Sequence, residues 1–116
     1  MSTQDVNEVE GRLLLKLEGD VDLARCATIR KRLLGAVAQG KDLLVDLSAV
    51  TYLDSSGVAS LIEAMQVANK NGTALRLFAA SSQVMRVFEL ARLDQVFPMH
   101  SDLDAALAST SAAVEG

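Results

Sequence analysis

Two hydrophobic periods alternate along this chain, and that alternation restricts its fold more than any single residue does. Residues 12–18, Arg-Leu-Leu-Leu-Lys-Leu-Glu, form an apolar run that passes into partial alternation and closes at Gly19; this reads as a strand. Asp5 to Glu10 also alternates, and with Gly11 between them the two segments form a hairpin whose first strand is the weaker. Cys26, Ile29, Leu33 and Val37, joined by Leu34, then recur at helical spacing, with Asp22 placed as the N-cap and Gly40 as the stop. Residues 42–48 form the clearest strand. Val58, Leu61, Ile62 and Met65 mark one face of a second helix, and Gly72 lies where a left-handed C-cap residue belongs. Ala74 to Ala80 reads as a buried strand. Ser81 or Ser82 opens a third helix with Val84, Val87, Phe88 and Ala91 on its core face. Val96-Phe97 is a short strand ending at Pro98, and Ser101 and Asp102 open a last helix that runs to about Ser109.

The order is β(β)αβαβαβα. Strands alternating with helices of this length pair in parallel through right-handed crossovers. The expected fold is α/β, with a four- to five-stranded mixed, mostly parallel sheet and about four helices. A chain of 116 residues is one domain's worth. It reads as a single domain over 1–116, with a core from about 10 to 109 and a small, polar C-terminal tail over 110–116 that frays.

Composition narrows the function. The chain carries a net charge of −4, and its positive cluster is Arg30, Lys31 and Arg32. Aromatic residues make up 3%. Nucleic-acid binding needs a sustained basic face and stacking platforms, and neither is present. Cys26 is the only cysteine and His100 the only histidine, which leaves no disulfide and no Cys/His cluster for a metal. Neither a signal peptide nor a membrane-spanning apolar run is visible, so the expected compartment is the cytoplasm without direct membrane insertion. No cofactor is expected.

Asp54-Ser55-Ser56-Gly57 joins a buried strand to a helix. It therefore lies at the carboxyl edge of a parallel sheet, where ligand sites of open α/β folds concentrate. Two readings fit these four residues. Asp, Ser and Gly all cap helices. A serine here is also placed to carry a phosphate against the N–H groups and positive dipole end of the helix. Gly57 would leave room for another chain's backbone.

Val45-Asp46-Leu47-Ser48, followed by Asp54-Ser55-Ser56-Gly57, resembles the signature of the STAS domain, in particular its anti-sigma factor antagonist branch. Leu17 to Asp22 before the first helix and Val84 to Leu93 in the third extend the likeness over about residues 10–108. The resemblance implies a STAS-type fold with helices mainly on one side of the sheet. It implies a non-enzymatic bacterial switch that binds an anti-sigma factor, commonly a GHKL-type serine kinase, and so releases a sigma factor. The kinase would phosphorylate Ser55 and a phosphatase would restore binding. Asp54 would contact or orient the partner, and Ser56 and Gly57 would form the helix start at the interface. Ala59, Ser60 and Glu63, away from the core stripe of the second helix, could join this surface or be ordinary solvated helix. The alternative within the same fold is a subunit that regulates or stabilises an ABC transporter ATPase–permease assembly of the lipid-asymmetry type. In that branch the tetrapeptide often carries Thr or Gly in place of a serine.

Other chemistry finds less support. The G-x-S-x-G pattern of a hydrolase nucleophile elbow is absent, and the sole candidate base, His100, reads as a loop residue. Asp46 and Asp54 lack the acidic pair and lysine of a phosphoacceptor site. Asp46 points to the opposite sheet face or bonds locally with Ser48. Cys26 and Met65 read as packed core and Met85 as partly exposed.

Overall fold

The computed structural model describes residues 6–108. Its elements are β1 (Val6–Val9), β2 (Arg12–Val21), α1 (Cys26–Val37), β3 (Leu43–Leu53), α2 (Ser55–Lys70), β4 (Leu75–Phe78), α3 (Ser82–Leu90) and β5 (Met99–His100). Residues 103–108 are helical as well. The strands form one sheet in the order β1-β2-β3-β4-β5. The β1–β2 hairpin is antiparallel and every later pairing is parallel. The mixed, mostly parallel α/β sheet expected from the sequence is thus the fold observed. The C-terminal tail lies outside the described residues.

Alternating leucines set the layers, because successive strand side chains point to opposite faces. Leu13, Leu15 and Leu17 of β2 join Leu43, Val45 and Leu47 of β3 and Leu75 and Leu77 of β4 in one core. Ile29 and Leu33 of α1, Leu61 of α2 and Val84 and Phe88 of α3 cover that face. Each such apolar side chain contributes about 1.5–3 kcal/mol of burial. The out-of-phase residues Leu44 and Phe78 meet Ala106, Leu103 and Leu107 on the other face. The last helical segment therefore closes the opposite side of the sheet.

β3 is longer than its sequence pattern implied, and two irregularities explain why. Its pairing with β2 shifts between Lys16 and Glu18 and again between Gly19 and Asp20. At each shift β3 carries one residue more than β2. The inward positions therefore move from Leu43, Val45 and Leu47 to Val50 and Leu53. Asp46 sits at the first irregularity, where its Oδ1 accepts from the Ser48 N–H at 2.8 Å. Such bulges re-aim the strand end, here toward Asp54 and Ser55.

Several local expectations change. Asp22 caps a turn rather than α1. Its Oδ1 and its carbonyl both accept from the Arg25 N–H, and the helix starts one residue later at Cys26. Cys26 is consequently half-buried at the helix start, outside the core. Met65 is only partly buried, packed against the core cluster, and Met85 is partly exposed, as read. Ser81 is the α3 cap, accepting from the Val84 N–H at 3.2 Å. Ala91 falls beyond α3 and is exposed. Val96-Phe97 is not a strand: the Phe97 N–H turns back to the Leu93 carbonyl. Phe97 serves as an anchor instead, 2% exposed and edge-on to Phe88 at 5.6 Å. Pro98 has no N–H to donate, but its carbonyl accepts from Leu77, and the two-residue strand follows it. His100 is therefore a half-buried strand residue, paired with Phe78, rather than a loop residue. Gly72 ends α2 as read. Its φ is +78°, its N–H bonds Asn69, and the Thr73 N–H bonds Ala68, the paired bonds of a Schellman motif.

Candidate partner-binding site at the start of α2

The carboxyl ends of β2 and β3 and the start of α2 converge on Asp54. Asp54 is the N-cap of α2, in an extended conformation. Its Oδ1 accepts from the Gly57 N–H at 3.0 Å and its Oδ2 from the Leu23 N–H at 3.2 Å. Its own N–H reaches the Val21 carbonyl at 3.3 Å. One carboxylate thus ties the helix start to the loop after β2. Both of its oxygens accept bonds within the fold, so the carboxylate has a structural role of its own.

The sequence suggested open space for another chain, yet Gly57 is buried against its own. A Cβ built there would stand 2.4 Å from the Val21 carbonyl oxygen and 2.7 Å from both Leu53 Cδ1 and Val21 Cγ1. The close approach is that of α2 onto the end of β2.

Ser55 is the first residue of α2 and is exposed, while Ser56 is half-buried. The Gly57 N–H is already held by Asp54, so the positive end of this helix is partly answered by a carboxylate. A phosphate on Ser55 would stand beside that carboxylate at the surface.

Along α2, Ala59 is exposed and Glu63 partly so. Ser60, expected on the same outward face, is only 5% exposed. Its hydroxyl donates to the Ser56 carbonyl at 3.2 Å. Ser60 belongs to a row of small buried residues, Gly57, Ser60, Ala64 and Ala68, through which α2 packs closely. Glu63 forms a two-pronged pair with Arg30 of α1, Oε1 to Nε and Oε2 to an outer nitrogen, both at 2.6 Å. That pair holds the Glu63 carboxyl below and the Arg30 guanidinium above their ordinary pKa values, chiefly through the hydrogen bonds.

Two features of this surface escaped the sequence reading. Leu23 is 71% exposed and Tyr52 is 52% exposed, both on segments flanking Asp54. Arg25 fixes the Leu23 loop by donating to the Glu18 and Asp20 carbonyls at 2.6 and 2.7 Å. An apolar residue immediately after a capping aspartate was the available signal for Leu23. Among the described residues no cluster of His, Cys, Asp or Glu could hold a metal ion, and no helix is long and apolar enough to cross a membrane.

Comparison with known proteins agrees with this architecture. The anti-sigma-B factor antagonist of Bacillus subtilis (strain 168) is 27% identical over 92 residues, covering 79% of this chain and 84% of that protein. The crystal structure of an anti-sigma factor antagonist from Mycobacterium paratuberculosis superposes with a TM-score of 0.84 at 27% identity, covering 91% of each chain. The Bacillus cell fate determinant SpoIIAA, solved in its phosphorylated form, gives a TM-score of 0.67 at 20% identity over 90% of this chain and 96% of that one. The family model for the STAS domain matches residues 3–106, nearly the full length, and the chain belongs to the STAS domain family.

Proposed function

We propose that this protein is an anti-sigma factor antagonist whose binding surface is centred on Ser55 and is switched off when Ser55 is phosphorylated. The observation that carries this reading is an exposed serine at the first position of α2, beside a capping aspartate. The antagonist names of the Bacillus subtilis and Mycobacterium paratuberculosis relatives support it. So does a protein of this fold solved in a phosphorylated form. The partner is an anti-sigma factor that is also a GHKL-type serine kinase, a phosphatase resets the switch, and the compartment is the cytoplasm. The domain acts without catalysis or cofactor.

The chemistry of the switch follows from the site. Phosphorylation adds about −1.5 to −2 charges at neutral pH. That charge would join the Asp54 carboxylate on a surface where Leu23, Ala59 and part of Glu63 are open to a partner. The fold would survive, because Ser55 is exposed and the capping bonds belong to Asp54. Partner contact would be lost through like charge and bulk. The transporter-subunit alternative shares the fold, but both serines of the tetrapeptide and the antagonist relatives favour the switch.

Incubation with the cognate kinase and ATP, followed by mass spectrometry, tests this directly. The phosphate is expected on Ser55, absent in Ser55→Ala and retained in Ser56→Ala. A phosphate on Ser56, or none on either serine with a partner that binds, would contradict the switch and favour the transporter reading.

A further inference from the structure

Leu23 leaves 71% of its surface to solvent, yet the loop that carries it is fastened on both sides. Its N–H donates to Asp54 Oδ2 at 3.2 Å, and its carbonyl accepts from the Cys26 N–H at 3.4 Å. The Arg25 N–H closes the same turn on Asp22, and the Arg25 guanidinium ties it to the Glu18 and Asp20 carbonyls. Leu23 belongs to neither buried cluster. A lone exposed leucine needs no explanation. One whose backbone is already fixed costs less to order against a partner.

The surroundings of Leu23 are small. α1 and α2 each connect strands that pair in parallel, so they run side by side in the same direction and pack together. Arg30 and Glu63 pair across them. One turn nearer the helix starts, Cys26 is half-buried and Ala59 is exposed. Ala24 and Ala27 are exposed as well. Leu23 is thus the large apolar side chain of a patch otherwise made of Ala24, Ala27, Ser55 and Ala59, which ends at the Arg30–Glu63 pair. Tyr52 is out of phase with the core residue Leu53 and belongs to the other sheet face.

We infer that Leu23 is the apolar anchor of the anti-sigma factor interface, seated in a pocket of the partner that takes one aliphatic side chain. The inference rests on the reading of Ser55 as the centre of the binding surface. Asp54 joins the two, because it precedes Ser55 and positions Leu23 through the loop N–H. A partner that grips Leu23 therefore covers Ser55, and charge or bulk on that serine falls inside the contact. Interface anchors are most often Trp, Tyr or Arg. The chain has no Trp, and Arg25 and Arg30 are engaged within the fold, which leaves the part to leucine.

Isothermal titration of the cognate anti-sigma factor with Leu23→Gln, Leu23→Met and Leu90→Gln variants of the full chain tests the inference. Gln and Met match in length and differ in polarity. Leu90 is 80% exposed at the end of α3, which the β4–β5 crossover carries to the opposite edge of the sheet. Leu23→Gln should weaken binding about thirtyfold, the loss expected of an anchor residue. Leu23→Met should stay within about fivefold of the parent. Leu90→Gln should bind like the parent, with circular dichroism unchanged in all three. Parental affinity in Leu23→Gln, or an equal loss in Leu23→Met or Leu90→Gln, would overturn the anchor; if phosphoserine at position 55 still weakened binding, the Ser55 reading would stand without it. Equal affinity for serine and phosphoserine, with Leu23→Gln weakened, would remove the switch and keep the anchor. A parental dimer in sedimentation that Leu23→Gln dissolves would assign the patch to a second copy of this chain and refute the partner.

Discussion

Replacing Gly57 by alanine should destabilise the fold severely for so small a change. The added Cβ would stand 2.4 Å from the Val21 carbonyl oxygen, a backbone atom, and 2.7 Å from two core side-chain carbons. Leu53 can yield by changing its side-chain conformation, but the Val21 carbonyl cannot move without disturbing β2. Val21 also accepts the Asp54 N–H, so a displaced helix start strains that bond and the cap together. Overpacking of this kind costs about 1–3 kcal/mol. Losing the cap adds about 1 kcal/mol. The better helix propensity of alanine returns at most about 1 kcal/mol. The net loss is about 1–3 kcal/mol, a large share of the roughly 5–15 kcal/mol that holds an ordinary domain. Urea and thermal unfolding followed by far-UV circular dichroism should show it, with a melting temperature lower by roughly 10 °C. Gly35→Ala is the matched control, with open space at its Cβ, and should gain about 0.5–1 kcal/mol. A Gly57→Ala variant that unfolds at the parental midpoint would refute the close packing of α2 onto β2. Gly57→Val should be worse still.

Asp54→Ala removes the acceptors of both Gly57 and Leu23 and should cost about 1–2 kcal/mol, measured by urea unfolding; a neutral result would mean that neither bond matters to the fold. Ser60→Ala loses a hydroxyl bonded only to its own helix and gains helix propensity, so its urea midpoint should stay within about 1 kcal/mol of the parent. His100 is held below its ordinary value of 6.5, first by burial and then by the charge of Arg76. The unfolded chain therefore binds the proton more readily. Stability is greatest above 6.5 and falls as pH drops through the lowered value. Comparing the parent with His100→Gln from neutral pH to about pH 5 should show a steeper loss in the parent, and equal slopes would contradict the burial of this ring.

The layer architecture was legible because burial on one sheet face leaves a period in the sequence. Leu13, Leu15 and Leu17, and likewise Leu43, Val45 and Leu47, keep strict alternation, and β2 and β3 run in register from Leu13 and Leu43 to Lys16 and Asp46. Alternation failed where β3 bulges, since Leu47, Val50 and Leu53 are three apart and the strand was read as ending at Ser48. Ser60 was misplaced for a different reason. Hydrophobicity sorts a serine outward, whereas α2 packs through small volume at Gly57, Ser60, Ala64 and Ala68. Their spacing of three and four residues was visible and carried the information. Val96-Phe97 was read as a short strand before Pro98, but the Phe97 N–H turns back to Leu93 and its ring packs edge-on to Phe88, which makes it a loop anchor.

At the site, the position of Ser55 was legible because a strand–turn–helix pattern places the tetrapeptide at the carboxyl edge of the sheet. The division of labour within it was not. Asp54 and Gly57 take their roles from Val21 and Leu23, more than thirty residues earlier in sequence. Such contacts have no local signature. Leu23 stands out only once the loop after β2 is seen to be pinned by Asp54 and Arg25.

The affinity of the cognate anti-sigma factor for the domain carrying serine or phosphoserine at position 55 tests the central claim most directly. Isothermal titration should give tight binding with serine and binding weaker on the order of a hundredfold or more with phosphoserine, with unchanged circular dichroism. Equal affinity for the two forms, both folded, would contradict a switch at Ser55.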